Sequence, residues 1–181
     1  MMTRLKDVIE SLIFVSLEPL NLEKIKSICT EFSNGEIEDA IQELVASYAS
    51  NERGIQIIQA AGGYLFSTKS EYDQWIRRLL RLDQKSKLSR AALETLATVA
   101  YHQPVTLAEI SAFRGVDATY SLKTLLQKKL VKITGRKKSP GRPLIYRTSD
   151  KFLTYFGLNN ITDLPSEEEI IKILDEERLD D

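Results

Sequence analysis

Histidine, cysteine and tryptophan are almost missing from this 181-residue chain: His102, Cys29 and Trp75 stand alone. One imidazole and one thiol cannot assemble a zinc site of His and Cys ligands, which needs three or four such donors. A single cysteine excludes an internal disulfide framework and suits a reducing compartment. No run approaches the roughly 20 apolar residues that carry a helix across a bilayer. The stretch from Met1 to Leu17 is interrupted by Asp7 and Glu10 and lacks a small-residue cleavage site, so it does not read as a secretory signal. The expectation is a cytoplasmic protein with no metal, no cofactor and no membrane partner.

Catalytic constellations are lacking as well. A Ser-His-acid triad would have to use His102, which precedes Gln103-Pro104 with no nucleophile elbow nearby. A helix-terminal imidazole favoured by the helix dipole is the simpler reading. Cys29 falls on an apolar helical stripe and reads as a small buried hydrophobe. Gly62-Gly63 is followed by no Lys-Ser or Lys-Thr pair, so it is no phosphate-cradling loop. Carboxylates such as Glu23 and Glu36 are scattered. The chain is read as a non-enzyme.

What is present is an ordinary globular composition, 43% hydrophobic and 28% charged. The length allows one domain or two of roughly 80–100 residues. Leu5, Val8, Ile9, Leu12 and Ile13 mark one face of a helix that ends before Glu18-Pro19. Asn21 caps a short helix with Leu22, Ile25, Ile28 and Cys29 inward. Ser33 and Glu36 form a capping box for a third helix with Ile37, Ile41, Leu44, Val45 and Tyr48 inward. Ile55 to Ala60 and Tyr64 to Thr68 alternate as strands joined at Ala61-Gly62-Gly63. Ser70 is expected to cap a helix carrying Trp75, Ile76, Leu79 and Leu80, with Trp75 in the core.

The same order then recurs. Ser89 caps a helix with Leu93, Leu96, Ala97 and Ala100 inward, ending at Gln103-Pro104. Thr106 and Glu109 box a second helix, and Gly115 turns the chain. Asp117 caps a third helix with Leu122, Leu125, Leu126 and Leu130 inward. Val131 to Arg136 and Leu144 to Thr148 read as strands, and Phe152 to Phe156 as a helical turn. Pro19, Leu20, Asn21, Leu22 and Ile25 match Pro104, Val105, Thr106, Leu107 and Ile110 at a constant offset. Three helices and a β-hairpin, twice, is the order of tandem winged helix-turn-helix domains, mainly α with small β-hairpins (α+β). The alternative is one mixed α/β domain with coincidental matches. The expected division is residues 1–82, a linker at 83–87, residues 88–158, and an acidic, flexible tail at 159–181.

The formal net charge of −1 conceals a separation. The last nineteen residues, from Asp163, carry −7, and the rest of the chain carries +6. Between Tyr120 and Lys151 stand Lys123, Lys128, Lys129, Lys132, Arg136, Lys137, Lys138, Arg142, Arg147 and Lys151, against Asp150 alone. In a DNA-binding winged helix the third helix enters the major groove and the wing touches the backbone. Here that helix offers no Arg for guanine, only Gln127 for a bidentate adenine contact, and its cations come late. The readings that stand for the basic region are phosphate contact, or a basic face that is simply solvated or meets an acidic protein. The tail's Ile170, Ile171, Ile173 and Leu174 are weakly amphipathic, so a short helix or a segment that folds on a partner is the alternative to disorder.

These motifs resemble one family, bacterial segregation and condensation protein B (ScpB). Leu88 through Ala97, with Ala100-Tyr101 and Gln103-Pro104, resembles its most recognisable block. Arg114-Gly115-Val116 resembles its helix-turn segment. Gly135-Arg136-Lys137, Pro140 through Leu144 and Tyr146 resemble its wing, and Phe152-Leu153 with Tyr155 through Leu158 its closing helix. Leu12 through Val15, Glu18-Pro19-Leu20 and Ala61 through Tyr64 also fit. Leu17 departs from the family's frequent glycine, and Asp117 through Tyr120 fits loosely. The resemblance implies a non-enzymatic, cytoplasmic and nucleoid-associated subunit of the SMC condensin-like complex. It implies a homodimer formed through the N-terminal domain that binds the kleisin subunit ScpA, reaches the SMC ATPase through it, and supports chromosome condensation and segregation before division. DNA is expected to bind at most weakly and non-specifically; the other class considered is a winged-helix DNA-binding transcriptional regulator. Tyr101, Arg136, Arg142, Tyr146 and Phe156 are the candidate protein-binding residues. Arg136 and Arg142 would offer forked donors beside the Pro140-Gly141 turn. The tyrosines and Phe156, with Tyr155, would close the second domain as an aromatic cluster.

Overall fold

The computed structural model describes residues 4–50, 52–80, 87–166, 168–170 and 172. Its first half begins with α1 (Leu5–Val15), a two-residue strand β1 (Leu20–Asn21), α2 (Leu22–Ile28) and α3 (Asn34–Ala49). The hairpin β2 (Ile55–Ala60) and β3 (Gly63–Thr68) follows, then α4 (Asp73–Leu79). The second half repeats the plan with α5 (Arg90–His102), β4 (Val105–Thr106), α6 (Leu107–Arg114), α7 (Thr119–Gln127), β5 (Val131–Arg136), β6 (Leu144–Thr148) and α8 (Asp150–Phe156).

Each half builds one antiparallel three-stranded sheet with the same order, β1-β3-β2 and β4-β6-β5. The five-residue match lies on this pairing. Leu20 opposes Tyr64 and Val105 opposes Tyr146 in the corresponding registers. The architecture is α+β, with helix-turn-helix units each carrying a wing. Ile9, Ile13, Ile25, Cys29, Ile37 and Ile41 anchor the first core; Leu96, Val99, Ile110, Leu122, Leu125 and Leu130 anchor the second.

The helix starts are chemically set. Asn21 Oδ1 accepts from Lys24 N–H at 2.8 Å, and Ser33–Glu36 and Thr106–Glu109 form reciprocal capping boxes. Ser89 caps α5 through Ala92 N–H at 3.2 Å. Two expected caps differ. Ser70 opens a 3-10 turn, closed by Tyr72 N–H to Lys69 C=O, and its side chain caps nothing. Asp117 accepts from Thr119 N–H and Oγ1 one residue ahead of the cap position, which Ala118 occupies.

Several residues expected inside are exposed. Trp75 and Leu79 on the two-turn α4, and Leu80 just after it, are exposed, and Ile28 lies beyond the core at the end of α2. On α5 the core-facing set is Ala92, Thr95, Leu96, Val99 and Ala100, while Leu93 and Ala97 face outward.

The hairpin turn of the first wing touches the second half. Ala61 N–H donates to Leu158 C=O at 2.9 Å and Gly62 N–H to Asn159 Oδ1 at 2.8 Å. Leu158, Ile161 and Leu164 pack against the second core, so Ile161 and Leu164, assigned from sequence to the tail, lie on the fold. Most of the expected linker at 83–87 and the tail's end from 173 fall outside the described residues.

Candidate protein-interaction surfaces

A groove of about 260 Å³ runs between α5 and α8, lined by Leu93, Leu96, Ala97, Ala100, Tyr101, Phe152, Phe156 and Leu164. Its geometry follows from helical periodicity. Leu93, Ala97 and Tyr101 repeat every four residues, one stripe beside the core-facing Ala92, Leu96, Val99 stripe. Phe156 packs on Phe152 at 4.9 Å and meets Tyr155 edge-on at 5.0 Å between centroids. The Tyr101 hydroxyl donates to Pro165 C=O at 2.8 Å, which ties the chain after α8 to the groove rim. Leu93, Tyr101 and Phe156 are each close to 45% exposed, a large share for side chains of that apolar area. Tyr101 and Phe156 were legible as candidates; Leu93 and Leu164 were not singled out, although the second stripe on α5 marks Leu93.

The wing carries the other candidates. Arg136 Nη1 donates to Arg142 C=O at 3.1 Å, and Lys137 N–H to Pro143 C=O at 2.9 Å, so the loop closes on itself. Gly141 takes φ 78° and Arg142 φ 41° at that turn. One branch of the Arg136 guanidinium therefore holds the wing, while the Arg142 side chain is exposed. Tyr146 is only 7% exposed and sits in the second core, away from the Tyr101–Phe156 groove; the expected four-ring cluster does not include it. Lys137 Nζ lies 2.5 Å from Glu109 Oε1 and fastens the wing to α6. That contact, with Thr106 N–H and hydroxyl donors, lowers the Glu109 pKa to about 2.

A third surface lies on the helix-turn-helix edge. Phe113, Val116 and Tyr120 are exposed there, and the His102 ring stacks on Phe113 at 4.0 Å with an interplanar angle of 3°. These apolar groups occupy the end of α6, the turn and the start of α7, where a base-reading helix presents hydrogen-bonding side chains. Phe14, Val15 and Leu17 form a comparable exposed apolar end of α1 in the first half. Cys29 is buried, and burial pushes its thiol pKa up. No cluster of His, Cys, Asp and Glu with metal-binding geometry occurs among the described residues.

The family model for segregation and condensation complex subunit ScpB matches residues 7–167, covering both winged helices. The chain belongs to the ScpB family. Segregation and condensation protein B of Clostridium tetani is 43% identical over 176 residues, 97% of this chain and 93% of that protein. A crystal structure of ScpB from Mycobacterium tuberculosis is 32% identical, over 85% of this chain and 95% of that one, with a TM-score of 0.42. A crystal structure of a dimer of the ScpB N-terminal domain complexed with a ScpA peptide is 33% identical, over 41% of this chain and 91% of that one, with a TM-score of 0.38. Segregation and condensation is the work for which that family is named. No described helix is long and apolar enough to cross a membrane.

Proposed function

We propose that the chain is a non-catalytic homodimeric scaffold that binds the kleisin subunit ScpA of an SMC condensin-like complex. In that role it supports chromosome condensation and segregation in the cytoplasm, at the nucleoid, and meets the SMC ATPase through the kleisin. The single observation that carries the reading is the family match from residue 7 to 167, which takes in both winged helices. The surfaces suit the role. Holding a partner segment calls for exposed aromatic and aliphatic anchors in grooves, and the α5–α8 groove presents Leu93, Tyr101 and Phe156. Arg142 at the wing offers a forked donor to the partner's carboxylates, Arg136 contributes by holding the turn, and Tyr146 lines a cleft with Leu144 and Leu107. In the first half, Phe14, Val15 and Leu17 are the side chains a dimer contact would cover.

The test has two arms. Purified chain and its cognate ScpA are mixed and titrated by calorimetry; a saturable complex is expected, and failure to retain ScpA overturns the reading. Light scattering of the chain alone is expected to give twice the 20.6 kDa chain mass, and a monomer at high micromolar concentration overturns the homodimer.

A further inference from the structure

The strongest feature left unused by this scaffold role is a band of cations at the base of the second wing. Lys132 on β5 and Arg147 on β6 are directly opposed in the antiparallel register. Strand alternation buries Val131, Tyr146 and Thr148 on the inner face and puts Lys132 and Arg147 together on the outer one. Like charges directly opposite one another destabilise a strand pair. The pair lines one open cleft of about 650 Å³ with the Thr134 hydroxyl. Lys151, at the start of α8, lines a neighbouring cleft with Lys128. The Asp150 carboxylate meets Lys132 Nζ at 3.3 Å and is the sole acid in the sequence from Tyr120 to Lys151.

We propose that this band binds the phosphodiester backbone of double-stranded DNA without reading its sequence. Two observations favour a polynucleotide over an acidic protein. The cleft at Lys132 and Arg147 sets two cations beside Thr134, Thr148 and Gln103, groups that contact phosphates; its apolar lining is Ala100 and Ile161, and it lacks the aromatic anchor that a protein interface is built around. Exposed Tyr101 and Phe156 lie in the α5–α8 groove and Phe113 and Tyr120 on the helix-turn-helix edge; Tyr155 lines the Lys128–Lys151 cleft, which leaves the Lys132–Arg147 cleft as the phosphate site proper. Backbone contact is also the mode that survives an apolar α7 start, because it asks nothing of the recognition helix. The polyanion relieves the Lys132–Arg147 repulsion that one carboxylate only partly offsets. The proposal does not depend on the kleisin reading.

Fluorescence anisotropy of short labelled duplexes of unrelated sequence, with the full chain, tests it. Binding is expected to be equal for the different sequences, and log affinity to fall with log salt by roughly 0.9 per phosphate contacted. Lys132→Glu with Arg147→Glu is expected to weaken binding at least about tenfold, since two contacts are lost and reversed. Asp150→Asn, which removes the carboxylate paired with Lys132, is expected to tighten it about threefold, a gain that misfolding cannot produce. Tyr120→Ala on α7 is expected to leave affinity unchanged. The proposal is overturned by absence of a shift at low salt, or by wild-type affinity in the double charge reversal. It is also overturned if the reversal abolishes ScpA binding while leaving duplex binding intact, which would make the band a protein site.

Discussion

Gly63 sits where β3 passes over the strand that follows Pro19. A Cβ built there would lie 2.6 Å from the Pro19 carbonyl carbon and 2.8 Å from that of Leu20, both backbone atoms that no side-chain rotation can clear. Only glycine lets β1 pair with β3 at that spacing. Gly63→Ala is expected to cost about 2–4 kcal/mol, read as a lowered denaturant midpoint, and an unchanged midpoint would refute the close approach. The Glu109 carboxylate fastens the second wing to α6 through Lys137. Its pKa of about 2 lies below the ordinary carboxylate value. A depressed folded-state pKa contributes stability that is present above the unfolded value near 4.5 and is lost as pH falls toward 2. Glu109→Gln is expected to lower the melting temperature at neutral pH and to flatten its decline between those two pH values. Cys29, buried with a raised thiol pKa, is expected to resist thiol reagents until the chain is unfolded.

At the scale of elements, α5 carries two adjacent apolar stripes, one in the core and one exposed. Leu96 is 2% exposed and central to the second core; Leu96→Ala is expected to cost about 2–5 kcal/mol. Tyr101 and Phe156 are half-exposed, so Tyr101→Ala with Phe156→Ala is expected to weaken ScpA binding at least tenfold while lowering stability much less than Leu96→Ala. Equal loss of stability in the two variants would assign the groove to packing. The caps and the five-residue repeat were legible because they are local: Asn21, Ser33, Ser89 and Thr106 each bond a backbone N–H three residues ahead. Ser70 misled because the backbone closes a 3-10 turn at Lys69 before a side chain is needed. The outward turn of Leu93 and of Trp75 was not legible, since an apolar residue on a helix has the same periodicity whether a neighbour covers it or solvent does.

At the scale of the molecule, the two halves meet through the hairpin turn of the first wing. Ala61 (φ 50°) and Gly62 (φ 74°) hold it in the left-handed region, which aims two N–H groups at Leu158 and Asn159. Asn159→Ala removes one of these bonds, and a net loss of about 1 kcal/mol is expected. Because neither core uses Asn159, the loss is expected in the relation between the halves: small-angle scattering should broaden while both cores keep their protection in hydrogen exchange. The sequence by itself determined that this chain makes two winged helices, since caps, turns and alternation act over a few residues, and an offset repeat states the plan twice. It also excluded an internal disulfide and a zinc site of His and Cys ligands, because one His and one Cys cannot supply either. Only the tertiary structure decided which apolar stripe is core and which is surface, that Tyr146 lies in the core while Tyr101 rims a groove, and that Lys132 faces Arg147. Those are contacts between elements distant in sequence, fixed by strand register and by what packs over each helix, and local pattern carries no record of them.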